Sequence, residues 1–162
     1  MKQRRFLSAF AILALLSAVI PAIPLLGEEA GSRHFSGGSY LCTIKAGDNY
    51  ASTAVITLHT DRTMSVTDSA QGGPDNYFSS QLGSWKPDGH RNIAAKAISF
   101  RFPPSAPAIA RTDFDIALTQ GHSHIEGTIQ LMLFSYEDPN PLEGEGTLIG
   151  TFNFRGELIK LR

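Results

Sequence analysis

The stretch Arg111-Thr112-Asp113-Phe114-Asp115-Ile116-Ala117-Leu118-Thr119 alternates along its length. Phe114, Ile116 and Leu118 share one parity, and Asp113, Asp115, Ala117 and Thr119 share the other. A period of two belongs to a strand, whose successive side chains point to opposite faces. A helix would repeat its apolar positions every three or four residues. No segment beyond Gly38 does so.

The same grammar extends in both directions. Strands are expected at Gly38 to Lys45, Ser52 to Thr60, Met64 to Asp68, Tyr77 to Lys86, Arg91 to Phe102, Arg111 to Thr119, Ile125 to Tyr136 and Thr147 to Leu161. Between them lie turn-forming residues. Lys86-Pro87-Asp88-Gly89 combines a fixed proline φ with a glycine free to take a positive one. Thr60-Asp61-Arg62-Thr63 connects a hairpin. Pro103-Pro104-Ser105-Ala106-Pro107 lacks the N–H groups a sheet ladder needs, and Asp138-Pro139-Asn140-Pro141 ends another strand in the same way. Short strands at regular spacing predict an all-β domain, a single antiparallel up-and-down β-barrel of about eight strands.

Parity also nominates a core. Ile98, Phe100 and Phe102 point one way, with Ser99 and Arg101 opposite. Cys42 shares parity with Tyr40 and Ile44. Ile129, Leu131 and Leu133 line one face of their strand, but Met132 and Phe134 make its other face apolar too. Such a strand is either covered or forms a surface through which copies of the chain associate.

Upstream of the strands the composition changes. Lys2, Arg4 and Arg5 precede an uncharged run from Phe6 to Leu26. A basic segment before an apolar one reads as a hydrophobic signal helix for export. Ala30-Gly31-Ser32 supplies small residues suited to a signal peptidase. Residues 1–32 are therefore expected to be a signal peptide or N-terminal anchor with a short linker, and 33–162 the barrel domain. The run approaches the ~20 residues that span a bilayer, so an uncleaved anchor is the alternative, with membrane contact through residues 6–26 alone. The expected location is secreted or periplasmic.

The chain has 14 basic and 15 acidic side chains. Without Lys2, Arg4, Arg5, Glu28 and Glu29, 11 and 13 remain, a net charge of −2. That balance offers no electrostatic footprint for nucleic acid or anionic lipid. With Cys42 as the only cysteine, no internal disulfide can form, and stability must come from an apolar core.

Gly83-Ser84-Trp85 is the most suggestive local feature. A Gly-x-Trp on a strand of a small antiparallel barrel resembles the calycins, the group of lipocalins and avidins. The resemblance implies that Trp85 plugs one barrel end, under an arginine from a late strand such as Arg155 or Arg162. It covers these residues and the strand grammar. It departs from the calycin pattern in one respect, since calycins carry the motif on their first strand. The strand spacing is also similar to that of allene-oxide-cyclase-type barrels, but no catalytic motif of that family is matched. A weak internal echo links Leu82-Gly83-Ser84-Trp85 and Gly89 with Ile149-Gly150-Thr151-Phe152 and Gly156. Glycines within strands mark the bends a closing barrel needs.

Sharper chemistry finds little support. His122-Ser123-His124 with Glu126 invites comparison with a cupin metal motif, but the glutamate follows too closely and no late histidine completes the set. No Gly-x-Ser-x-Gly elbow occurs. Asp113 and Asp115 sit opposite Phe114, on the solvent side. Neither a metal nor a cofactor is expected, and the catalytic residues of any enzyme reading are unknown.

The favoured expectation is a barrel holding a small apolar ligand, lined by some of Trp85, Phe100, Phe102, Phe114, Phe152 and Phe154, with Arg101 or Arg111 near the mouth. An eight-stranded barrel is just wide enough for packed side chains or one small ligand. A filled structural or protein-interaction module is the second reading. An isomerase- or cyclase-type barrel enzyme is the third.

Overall fold

In the computed structural model, residues 35, 37–72 and 77–160 are described. The expected export segment at residues 1–32 lies outside them. Eight strands run in chain order: β1 (Gly38–Ala46), β2 (Asn49–Leu58), β3 (Thr63–Asp68), β4 (Gln81–Pro87), β5 (Asn92–Arg101), β6 (Ala108–Thr119), β7 (His124–Phe134) and β8 (Thr147–Leu158). Each pairs antiparallel with the next, and β8 returns to pair with β1, so the sheet closes into a barrel. Closure leaves no strand edge unpaired. A single 3-10 turn, Gln120–His122, is the only helical element among the described residues.

Most strand boundaries lie close to those read from alternation. Two starts move. β4 begins at Gln81 rather than Tyr77, because the chain before it makes only an isolated bridge, Phe78 to Arg101. β6 begins at Ala108, directly after the prolines, and pairs from there with Arg101.

Connections differ in length at the two barrel ends. The turns at 59–62, 88–91 and 120–123 close one end. The longer connections 102–107 and 135–146 rim the other, together with the described parts of 69–80 and the two-residue turn at 47–48. At the short-turn end Asp61 Oδ1 accepts hydrogen bonds from the backbone N–H and hydroxyl of Thr63, at 3.0 and 2.6 Å. These bonds hold the Asp61 carboxyl below its usual pKa.

The core fills this end. Tyr40, Cys42, Ile56, Leu58, Met64, Ile116 and Ile125 are all but fully buried. Removing each such large side chain from water contributes about 1.5–3 kcal/mol. Gly156 makes room for Cys42, since a Cβ there would lie 2.4 Å from the Cys42 Sγ. Burial pushes the Cys42 thiol up to about 12 and the Tyr40 phenol up to about 12. The Tyr40 hydroxyl donates to the His122 carbonyl at 3.0 Å.

Strand β5 corrects the sequence reading. Its inward residues are Ile93, Ala95, Ala97 and Ser99, while Phe100 is 46% exposed. The register explains the inversion. Ala95 stands between Trp85 on β4 and Phe114 on β6. Those two large rings occupy the interior on either side, so β5 presents alanine there and turns Ile98 and Phe100 outward. Outside, Ile98 pairs with Leu82, and Phe100 meets Tyr136 edge-on at 6.4 Å.

The second apolar face of β7 is covered by the chain itself. Phe134 is 4% exposed, and Gly144 and Gly146 of the β7–β8 connection lie against its ring. Arg111 fastens that connection. Its Nη1 donates to the carbonyls of Pro141 and Gly144 at 3.0 and 2.9 Å, its Nε donates to Asp113 at 3.1 Å, and its guanidinium sits over Phe134 at 5.1 Å.

Candidate functional site

The long-connection end holds a cavity of about 370 Å³. The space beside Trp85 at the other end is about 20 Å³, little more than one water needs. Exposed Ala51 and Ile149 are among the residues lining the larger cavity and set its mouth at the rim. Ligand sites favour such barrel mouths, and 370 Å³ falls within the usual pocket range of about 300–1,000 Å³.

Inward parity positions each wall residue. Phe114 and Thr112 precede Ile116 and Leu118 on the inner face of β6, and Ile129, Leu131 and Leu133 follow Ile125 on β7. Ile44 comes from β1, Val66 from β3 and Phe152 from β8. Among these apolar groups stand Ser52, Asp68, Gln81, Ser99, Arg101 and Thr112. Ser52 donates to Asp68 Oδ2 at 2.9 Å, and Asp68 Oδ1 accepts the Ala70 N–H at 2.8 Å, so this pair is held in place by the protein. Gln81 Oε1 and Thr112 Oγ1 are different. Both atoms are buried and have no hydrogen-bond partner among the described residues. A buried polar atom left unpaired costs about 1–3 kcal/mol.

The aromatic residues read from the sequence separate into three groups. Phe114 and Phe152 line the cavity. Phe154 is buried below it and meets Phe114 edge-on at 6.4 Å, and Trp85 is buried at the closed end. Phe100 and Phe102, 46% and 44% exposed, lie outside the cavity for the parity reason given for β5. Of the two arginines, Arg101 lines the cavity, whereas Arg111 belongs to the outer wall.

Trp85 does lie beneath an arginine, but it is Arg62 of the β2–β3 turn. Arg155 points outward toward Glu126 at 3.9 Å, and Arg162 is outside the described residues. The two halves of the internal echo play unlike parts. A Cβ at Gly83 would lie 1.9 Å from the Lys96 carbonyl oxygen, while one at Gly150 would meet only the Phe152 ring at 3.3 Å. The histidines of the 122–124 segment diverge. His122 packs edge-on against Phe35 at 5.6 Å, and His124 is engaged by Ser123 at 3.0 Å.

Sequence reasoning singled out none of the polar cavity groups other than Arg101. The available signal was a polar residue at inward parity: Thr112 two residues before Phe114, and Ser52 two before Ala54. For Gln81 and Ser99 that parity became readable only with the β4–β5 register. Compared with family models, curated proteins and solved structures, the chain matches none.

Proposed function

We propose that this protein is an exported binding module that holds a small, largely apolar molecule in the long-connection end of its barrel. The observation that carries the reading is the cavity of about 370 Å³, whose largely apolar wall is interrupted by a few polar side chains, Asp68, Ser99 and Arg101 among them. An apolar wall supplies affinity by burial at about 25 cal/mol per Å². A few polar groups then fix orientation. Kinship with the calycins is part of the proposal. Its supports are the barrel itself, Gly83-Ser84-Trp85, and an arginine over a barrel-end tryptophan. Export rests on Arg4, Arg5 and the Phe6 to Leu26 run, and secretion or the periplasm is the proposed location.

The test is a titration with 2-naphthol, followed through labelled Ile, Leu and Val methyl groups by NMR. Ile44, Val66, Ile129, Leu131 and Leu133 should shift together, with Ile56, Leu58 and Ile125 at the filled end unmoved. Shifts confined to exposed outer residues such as Leu82 and Leu148, or none at saturation, would overturn the reading. Export is tested separately by a C-terminal alkaline phosphatase fusion, which should be active in a bacterial host. An inactive fusion beside an active cytoplasmic reporter would sink it.

A further inference from the structure

The cavity's polar side chains are confined to one arc of the barrel. Ser52 stands on β2, Asp68 on β3, Gln81 on β4, Ser99 and Arg101 on β5, and Thr112 on β6. These are five consecutive strands. The remaining arc, β7, β8 and β1, contributes Ile129, Leu131, Leu133, Ile149, Phe152 and Ile44, with no polar side chain among them. Hydrogen-bonding groups therefore stand on one arc, interleaved with Val66, Ala110 and Phe114, and the facing arc is hydrocarbon alone.

A molecule with one polar head and a long tail matches a cavity whose polar groups gather at one depth. This cavity spreads its polar groups lengthwise instead, since Thr112 is level with Ala97 on β5 and Ser99 and Arg101 follow in turn toward the rim. We infer that its ligand is facially amphipathic, a rigid ring system with hydroxyl or similar groups along one edge and bare hydrocarbon along the other. The inference rests on the ligand-cavity reading above and names the chemical class. Hydroxyls on the polar edge can donate to the Asp68 carboxylate or accept from Arg101, and the Ser99 hydroxyl can donate or accept. Size follows from volume. At roughly 30 Å³ per water in the liquid, the cavity's 370 Å³ corresponds to about a dozen waters, room for two or three fused rings.

Three isomers with one frame and one volume separate the possibilities. In 2,7-dihydroxynaphthalene both hydroxyls lean to the same long edge. In 2,6-dihydroxynaphthalene they lie on opposite edges, and in 2,3-dihydroxynaphthalene they sit together at one end, as a head. Isothermal titration of the purified protein should rank the 2,7 isomer first, by about threefold or more over each of the others. A smaller preference, or a reversed one, overturns the facial assignment while cavity binding stands. If no isomer moves the cavity methyls in the NMR titration, the ligand-cavity reading itself falls. Ser99→Ala removes a cavity hydroxyl with little change of volume, with its fold checked by the methyl spectrum. In that variant the 2,7 preference should shrink toward parity. An undiminished preference in a folded S99A variant would overturn the role given to the polar arc.

Discussion

The guanidinium carbon of Arg62 lies 4.3 Å from the centroid of the Trp85 ring, and the Arg62 carbonyl accepts the Trp85 backbone N–H at 2.8 Å. The indole N–H donates in turn to the His59 carbonyl at 2.9 Å, and Phe35 meets the ring edge-on at 5.3 Å. The β2–β3 turn and the segment before β1 thus converge on one side chain. That convergence seals the short-turn end.

Trp85→Ala should accordingly destabilise the barrel by about 3–5 kcal/mol, as expected for a large buried aromatic. Arg62→Ala should cost only about 0.5–1 kcal/mol, because its cation lies at an exposed site. Urea denaturation measures both. Trp85 is the sole tryptophan, so native emission should be blue-shifted from that of the unfolded chain. Emission matching free tryptophan in water would contradict its burial.

Alkaline pH should weaken the fold through Cys42 and Tyr40. Both are held near 12 in the folded protein, above the ordinary 9.0 and 10.0. The unfolded chain therefore loses these protons first, and folded stability, complete below pH 9, drains away as pH climbs toward 12. Each group contributes a slope of up to about 1.4 kcal/mol per pH unit once its unfolded form ionises. Cys42→Ala should flatten the decline between pH 9 and 10 relative to wild type. Equal slopes in that interval would remove Cys42 from the account.

Arg111→Met should cost about 2–3 kcal/mol, because hydrogen bonds from a charged group are worth about 1.5–3 kcal/mol and several are lost together. The more specific readout is local. The 135–146 connection, deprived of its ties at Pro141 and Gly144, should be cleaved faster by a nonspecific protease than in wild type. Unchanged cleavage with unchanged stability would show that the fastening is idle.

Glycine positions offer a paired contrast. A Cβ at Gly127 would lie 1.8 Å from the Asp115 carbonyl oxygen, so Gly127→Ala forces β6 and β7 apart and should cost about 3 kcal/mol or more. Gly47 has φ +61° and open space around it, and Gly47→Ala should cost only the left-handed penalty of about 1–2 kcal/mol. Thermal denaturation of the two variants tests the order, and a reversal would contradict the tight β6–β7 approach.

The barrel was legible in the sequence because every strand carries a period of two and every connection carries turn residues. Which face of β5 looks inward was not. Taken alone, Ile98 and Phe100 outrank Ala97 and Ser99 as core formers. The choice is made by Trp85 and Phe114 on the neighbouring strands, and single-strand alternation carries no information about register. The apolar outer face of β7 was visible at Met132 and Phe134, but the sequence left open whether a second copy or the chain itself covers it. The deciding contact, Arg111 to Pro141, spans 30 residues. The cavity depends on the same non-local facts, since it is the space left where small or polar residues of several strands meet.

The β1–β8 pairing has a consequence for the order of folding events. Every other ladder joins strands adjacent in sequence, whereas Tyr40 must find Leu158, and Cys42 must find Gly156. Hairpins zip early because their loops are short, and distant ends carry the largest chain-closure entropy. The seam should therefore form after the rate-limiting step. Gly156→Ala, which crowds Cys42 at that seam, would speed unfolding while leaving the refolding arm of a chevron nearly unchanged. How long the native barrel persists before it opens would then be governed by a few residues along one stave.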